Sequence, residues 1–145
     1  MNIQDTSATP QAEPMPGRAA PARGLMLAGI VLVLAIGAIH AWDAPDSFHD
    51  VAYKGVLFVL NALGALAAAV GIARRATWGW ALGTLVAAGA FISYVLSRTV
   101  GLPYLPAEPD AWLEPLGVAS LLAEAGFMLV AWHQRSVQSN AARLS

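Results

Sequence analysis

The sequence predicts an all-α integral membrane protein, a four-helix antiparallel bundle with N-in/C-in threading and a long outer loop between helices three and four. Three observations lead there. Of the 145 residues, 57% are apolar and only 12% are charged, where a soluble domain carries roughly a quarter charged residues, so most of these side chains need an apolar solvent. The apolar residues form four runs of about twenty, the length that crosses the hydrocarbon core of a bilayer as a helix. In a four-span layout Arg18, Arg23, Arg74, Arg75, Arg135 and Arg143 fall on one side against Lys54 and Arg98 on the other, and an excess of basic residues marks the cytoplasmic side.

Residues 1–22 hold Pro10, Pro14, Pro16 and Pro21 among alanines and polar residues, without the periodicity that builds a core, and are expected to form a flexible cytoplasmic tail. The membrane domain is expected over 23–133, with spans at about 24–42, 51–73, 78–97 and 112–133. Positive charge before the first run resembles a signal peptide. That run exceeds the 7–15 apolar residues of a signal h-region, however, and further spans follow it, so it reads as a span that is kept. Pro45 is expected to break the chain into a short acidic loop over 43–50, with Asp46, His49 and Asp50 in water.

The second run carries Lys54 near its start, where the long stem lets the ammonium reach the headgroups. Arg74 and Arg75 end it, and the turn to Trp78 is short enough to force an antiparallel hairpin. Pro103, Pro106 and Pro109 remove three amide donors from the segment 99–111, so no regular helix is expected there. Such irregular backbone must lie at the surface or pack on protein. Pro115 suits the first turn of the fourth helix, where its missing N–H costs nothing. Residues 134–145 are polar and are expected as a frayed cytoplasmic tail. The five tryptophans map to the two interfaces, Trp42 and Trp112 outside and Trp78, Trp80 and Trp132 inside, as amphipathic rings prefer.

The polar groups that a bilayer makes expensive are the pointers to function. Glu124 lies twelve residues into the fourth span, about 18 Å below Trp112, where a carboxylate costs roughly 2.5–3.5 kcal/mol even on lenient insertion scales. Asn61 has nearly the same depth in the second span and is the expected partner in a buried polar pair, with Ser120 one turn above Glu124 on the same face. The pair serves either to fix helix register or to bind a ligand or handle protons. Nearer the outer surface His40, Tyr94, Arg98 and Glu114 form a candidate ligand-binding layer, with Arg98 and Glu114 the natural ion pair closing the long loop. That set suits a polar headgroup, a quinone carbonyl or a small anion.

A turn at Pro45 would also bring His49 back toward His40. With Asp43 and Asp46 these form a candidate site for zinc, copper(II), nickel or iron(II). A haem is not expected, because His40 has no histidine at equal depth on a facing helix. The absence of cysteine excludes disulfides, thiolate metal sites and iron–sulfur clusters. Small residues form stripes at Gly79, Gly83, Ala87 and Ala90 and at Asn61, Gly64, Ala68 and Gly71, which let helices approach closely within the bundle or across a subunit interface.

Three segments, Gly55 to Asn61 (GVLFVLN), Tyr94 to Pro103 (YVLSRTVGLP) and Glu114 to Gly117 (EPLG), resemble uncharacterised small four-span bacterial membrane proteins and, more distantly, DoxX-like proteins. The resemblance covers roughly the four spans and neither tail. It implies a four-helix bundle in a bacterial inner membrane and transfers no catalytic residue. The expected function is a non-catalytic accessory or scaffold protein, a possible subunit of a larger membrane complex, since the chain shows no nucleophile–base arrangement, phosphate loop or cofactor motif. The alternative is a small-ligand binder, of quinone or divalent metal, with its site in the outer half; an oligomeric transporter or channel is third. Expected partners are the lipid bilayer and a membrane protein or a further copy of the chain. A net charge of −1 offers nothing to nucleic acid.

Overall fold

The computed structural model describes residues 19–143. Four long helices make up nearly all of it: α1 (Ala19–Asp50), α2 (Ala52–Ala73), α3 (Thr77–Thr99) and α4 (Pro115–Arg143), with a short 3-10 turn, Pro109–Ala111, in the loop before α4. Each of the four is long and apolar enough to cross a membrane. They pack as a square in chain order, α1 on α2, α2 on α3, α3 on α4 and α4 back on α1, so α2 and α4 stand on opposite corners. The α1–α2 corner and the α3–α4 loop lie at one end, called here the loop end. The α2–α3 turn lies at the other end with the outer ends of α1 and α4, called the termini end.

Several boundaries differ from expectation. The expected tail 1–22 lies outside the described residues up to position 18, whereas residues 19–22 already belong to α1. The expected break at Pro45 does not occur, and helix α1 runs through it to Asp50. A proline within a helix forfeits one hydrogen bond, here to the carbonyl of Ala41. Ala41 and Trp42 are on the exposed side of α1, while His40, Ala44 and Ser47 on the inner side are buried, so packing carries the helix past the lost bond.

The chain reverses at Val51 alone, with Phe48 folded against Gly55. Helix α4 begins at Pro115 rather than Trp112 and extends through the expected tail to Arg143. Trp80, expected at an interface, instead points into the bundle: it is buried and stacks on Phe127 of α4, centroids 5.9 Å apart. Trp42, Trp78, Trp112 and Trp132 remain exposed.

The core explains the small-residue stripes. Val33 and Ile36 of α1, Ala65, Ala68 and Ile72 of α2, Ala87 of α3 and Phe127 of α4 form one buried cluster. Gly83 lies beneath the Phe127 ring, and Gly71 and Gly79 set the backbones of α2 and α3 against each other at the hairpin. A Cβ on Gly71 would come within 2.7 Å of the Gly79 Cα, so the stripes expected from the sequence serve packing inside the bundle. The hairpin closes without glycine. Arg75 takes a left-handed conformation (φ 58), its amide bonding to the Ile72 carbonyl at 2.9 Å and that of Ala76 to the Gly71 carbonyl at 2.9 Å, the two bonds of a Schellman helix ending.

The contrast between two glycines tests this packing. Gly79→Ala meets immovable backbone and should cost about 1–3 kcal/mol, whereas Gly89→Ala, with nothing within 4 Å of the new methyl, should be neutral or stabilising by up to about 1 kcal/mol. Thermal unfolding of both variants in the same detergent compares them directly.

Candidate functional site

Two polar layers lie inside this apolar frame. The first is at the loop end and is built on Arg98 in the last turn of α3. Its side chain is only 8% exposed, yet it carries a full charge and needs acceptors. The loop supplies them. Nη1 donates to Glu108 Oε2, and Nη2 donates to Glu114 Oε2 at 2.8 Å. The Arg98–Glu114 pair expected from the sequence is therefore present, joined by a second carboxylate. The glutamates are 63% and 52% exposed, so water still solvates them and only the cation is buried.

Tyr94, one turn before Arg98, completes the layer. Its ring lies 4.7 Å from the guanidinium carbon, and its hydroxyl donates toward the carbonyls of Ala111 and Trp112 at 3.3 and 3.2 Å. The ring fits over Gly117, where a Cβ would come within 2.7 Å of the hydroxyl oxygen. Further bonds secure the loop. The Glu108 amide donates to the Ser97 carbonyl at 3.0 Å, Leu102 and Leu105 exchange backbone bonds, and Gly101 takes a φ of +86 to turn the chain out of α3. The Tyr53 hydroxyl donates to the Pro103 carbonyl at 2.6 Å, tying the loop to α2.

His40 does not join this layer by any hydrogen bond or ion pair. Its Nδ1 donates to the Ile36 carbonyl of its own helix at 2.9 Å, and its ring packs on Phe58 of α2, centroids 4.9 Å apart. Of the expected layer, Tyr94, Arg98 and Glu114 come together, and Glu108 joins them. The candidate metal site of His40, His49, Asp43 and Asp46 is also corrected: among the described residues no three histidine or acidic side chains come together. Because α1 is unbroken at Pro45, nine residues turn His49 about half a revolution from His40 and carry it about 13.5 Å along the axis.

The second layer lies deeper. Glu124 is 1% exposed, and Ser120 one turn away donates to its Oε1 at 2.7 Å. The expected Asn61–Glu124 pair does not form, since the two residues stand on the diagonal helices α2 and α4. Asn61 donates instead to the Val86 carbonyl on α3 at 3.3 Å. Asn61 Oδ1 and Glu124 Oε2 are each buried without a partner, as is Arg98 Nε above them. Equal depth was legible in the sequence; which corner of the square each helix occupies was not.

Glu108 was visible only as one of the outer acids. Its pairing with Arg98 depends on Gly101 and the prolines folding the loop back, a non-local outcome that residue spacing does not encode. The exposed pair Lys54–Asp50, 2.5 Å apart, is likewise created by the helix reversal at Val51.

Among the described residues the fold and its site define a bundle of four helices long and apolar enough to span a membrane, closed at one end by an arginine-clamped loop and holding a carboxylate in its core. No protein-family model, curated protein or solved structure matches the chain.

Two sets of variants probe the layers. Arg98→Gln should cost about 2 kcal/mol, because a charge-assisted bond to each glutamate is lost, and should expose residues 100–114 to protease. Glu108→Gln or Glu114→Gln alone should cost less than about 1 kcal/mol, since each carboxylate is solvated. In the core, Glu124→Gln keeps an acceptor for Ser120 and should shift stability by less than about 1 kcal/mol. Glu124→Ala leaves a cavity and an orphaned hydroxyl and should cost about 2–4 kcal/mol. Chemical unfolding in mixed micelles measures each.

Proposed function

We propose that this chain is a non-catalytic accessory or scaffold protein of a bacterial inner membrane, with the loop end facing outward and both termini in the cytoplasm, and that its loop recognises a membrane-protein partner. One observation carries the reading. The loop that Arg98 clamps presents large apolar side chains outward, with Val100 75%, Tyr104 93% and Leu113 86% exposed. The clamp on Arg98 holds the backbone beneath these side chains in one conformation. Ordering a surface before contact lowers the entropy cost of association, and exposed apolar groups on a fixed backbone are what a partner buries. The expectation of an accessory protein and the resemblance to four-span bacterial membrane proteins agree with this use.

A second reading has one observation in its favour. Arg98 Nε is buried without an acceptor, and a quinone carbonyl or small anion entering beside Tyr94 would supply one. The two readings place the working groups on opposite sides of the loop, outward for the partner and inward for the ligand.

The test is isolation of the full chain with its native lipids, using Tyr104→Ala/Leu113→Ala and Arg98→Lys variants. The partner reading expects a co-purifying membrane protein in fixed stoichiometry, reduced at least tenfold by the Tyr104/Leu113 pair while the melting temperature holds. A chain that isolates alone, or whose partner is retained by that double variant, overturns it. A bound ultraviolet-absorbing ligand lost on Arg98→Lys alone would establish the second reading in its place.

A further inference from the structure

Charge is segregated along the bundle. The described acids stand at the loop end, as Asp43, Asp46, Asp50, Glu108, Asp110 and Glu114, or in the core as Glu124, and none lies near the termini end. That end carries Arg23, Arg74, Arg75, Arg135 and Arg143, and among the described residues none of these is in an ion pair. Two of them, Arg23 at the start of α1 and Arg75 in the α2–α3 turn, converge on a cavity of about 460 Å³ between the helix ends. Gln134 and Gln138, one turn apart on α4, line it beside them, and Ile72 and Trp80 form an apolar floor. The Oε1 of Gln134 is buried without a hydrogen bond.

We propose that this cavity binds the phosphate group of a glycerol phosphate ester, whether in a lipid headgroup or in a soluble molecule. Two guanidinium groups offer the planar forks of donors that match phosphate oxygens. Amide nitrogens of Gln134 and Gln138 add neutral donors, the Gln134 oxygen accepts from a hydroxyl on the same molecule, and the floor takes an apolar segment. The volume lies in the range of small-ligand sites, and every element of the bundle contributes to the lining, so the ligand also ties the four helix ends together.

Arg75 is the informative position. Its backbone is left-handed, a conformation that favours glycine, yet the residue is an arginine aimed at the cavity. Arg75→Gly therefore removes the guanidinium while relieving the backbone, which separates loss of binding from loss of fold.

The experiment uses the full chain in nanodiscs of phosphatidylcholine, with phosphatidylglycerol titrated in and bound lipid counted by native mass spectrometry. In parallel, glycerol 3-phosphate is titrated into detergent-solubilised protein and followed by melting temperature. Phosphatidylglycerol binding at least tenfold tighter than phosphatidylcholine, lost tenfold or more in Arg75→Gly and Arg23→Gln but kept in Arg74→Gln, identifies the lipid as source. Equal protection by glycerol 3-phosphate, with the same variant pattern, identifies a soluble phosphate ester. The proposal is overturned if neither probe binds, or if Arg74→Gln weakens binding as much as Arg75→Gly. It is also overturned if binding appears only after Asp5→Asn/Glu13→Gln, because the chain's own acids would then be the occupant. Arg75→Gly should melt no lower than the parent.

Discussion

A guanidinium cannot shed its charge, so wherever a fold buries one it must deliver acceptors to it. Arg98 imposes that condition on the loop end of this bundle. Two carboxylates come to it from the α3–α4 loop, ten and sixteen residues further along the chain, and the Tyr94 ring covers its face. The path of the loop follows. Gly101 turns the chain back, Glu108 bonds to the Ser97 carbonyl, and the start of α4 is held where Glu114 reaches the cation. The arrangement is asymmetric in energy: the cation is buried while both anions remain half in water, so losing one anion is mild and losing the cation is not.

Below that clamp the bundle is held by shape. Apolar burial does little to drive helices together when lipid is as apolar as the core, and close backbone packing takes its place. Gly71 against Gly79 and Gly83 beneath Phe127 are points of close approach, with Trp80 stacked on Phe127 to fill the space between α3 and α4. Within this tightly fitted core Glu124 stands apart. Ser120 satisfies one oxygen only, and the opposite corner of the square holds Asn61 with an unpaired oxygen of its own. Both residues bond to what lies nearest on their own or the adjacent helix, because the diagonal is too wide to bridge.

The two ends differ in how charge is handled. At the loop end Lys54 and Arg98 are both paired, Arg98 with its two glutamates and Lys54 with Asp50, and acids remain in excess. At the termini end arginines accumulate without described acids, around a cavity that reaches the buried Trp80. The loop end presents an acidic, rigid outline with apolar side chains on its loop; the termini end presents a basic field and a recess. The first suits recognition by contact, the second capture of an anion.

The sequence by itself determined that the chain forms four helices of membrane-crossing length, where the hairpin turns, that Pro115 lies in the first turn of the last helix and that Arg98 pairs with Glu114. Composition, run length and the intolerance of apolar surroundings for unpaired charge are local properties, readable residue by residue. Only the tertiary structure decided that α1 passes through Pro45, that Trp80 turns inward, that His40 and His49 face apart, and that Asn61 and Glu124 occupy opposite corners. Each of these depends on which helix stands beside which, and on packing energy summed over a whole face. A single lost hydrogen bond, or an equal depth along two helices, does not reveal that sum.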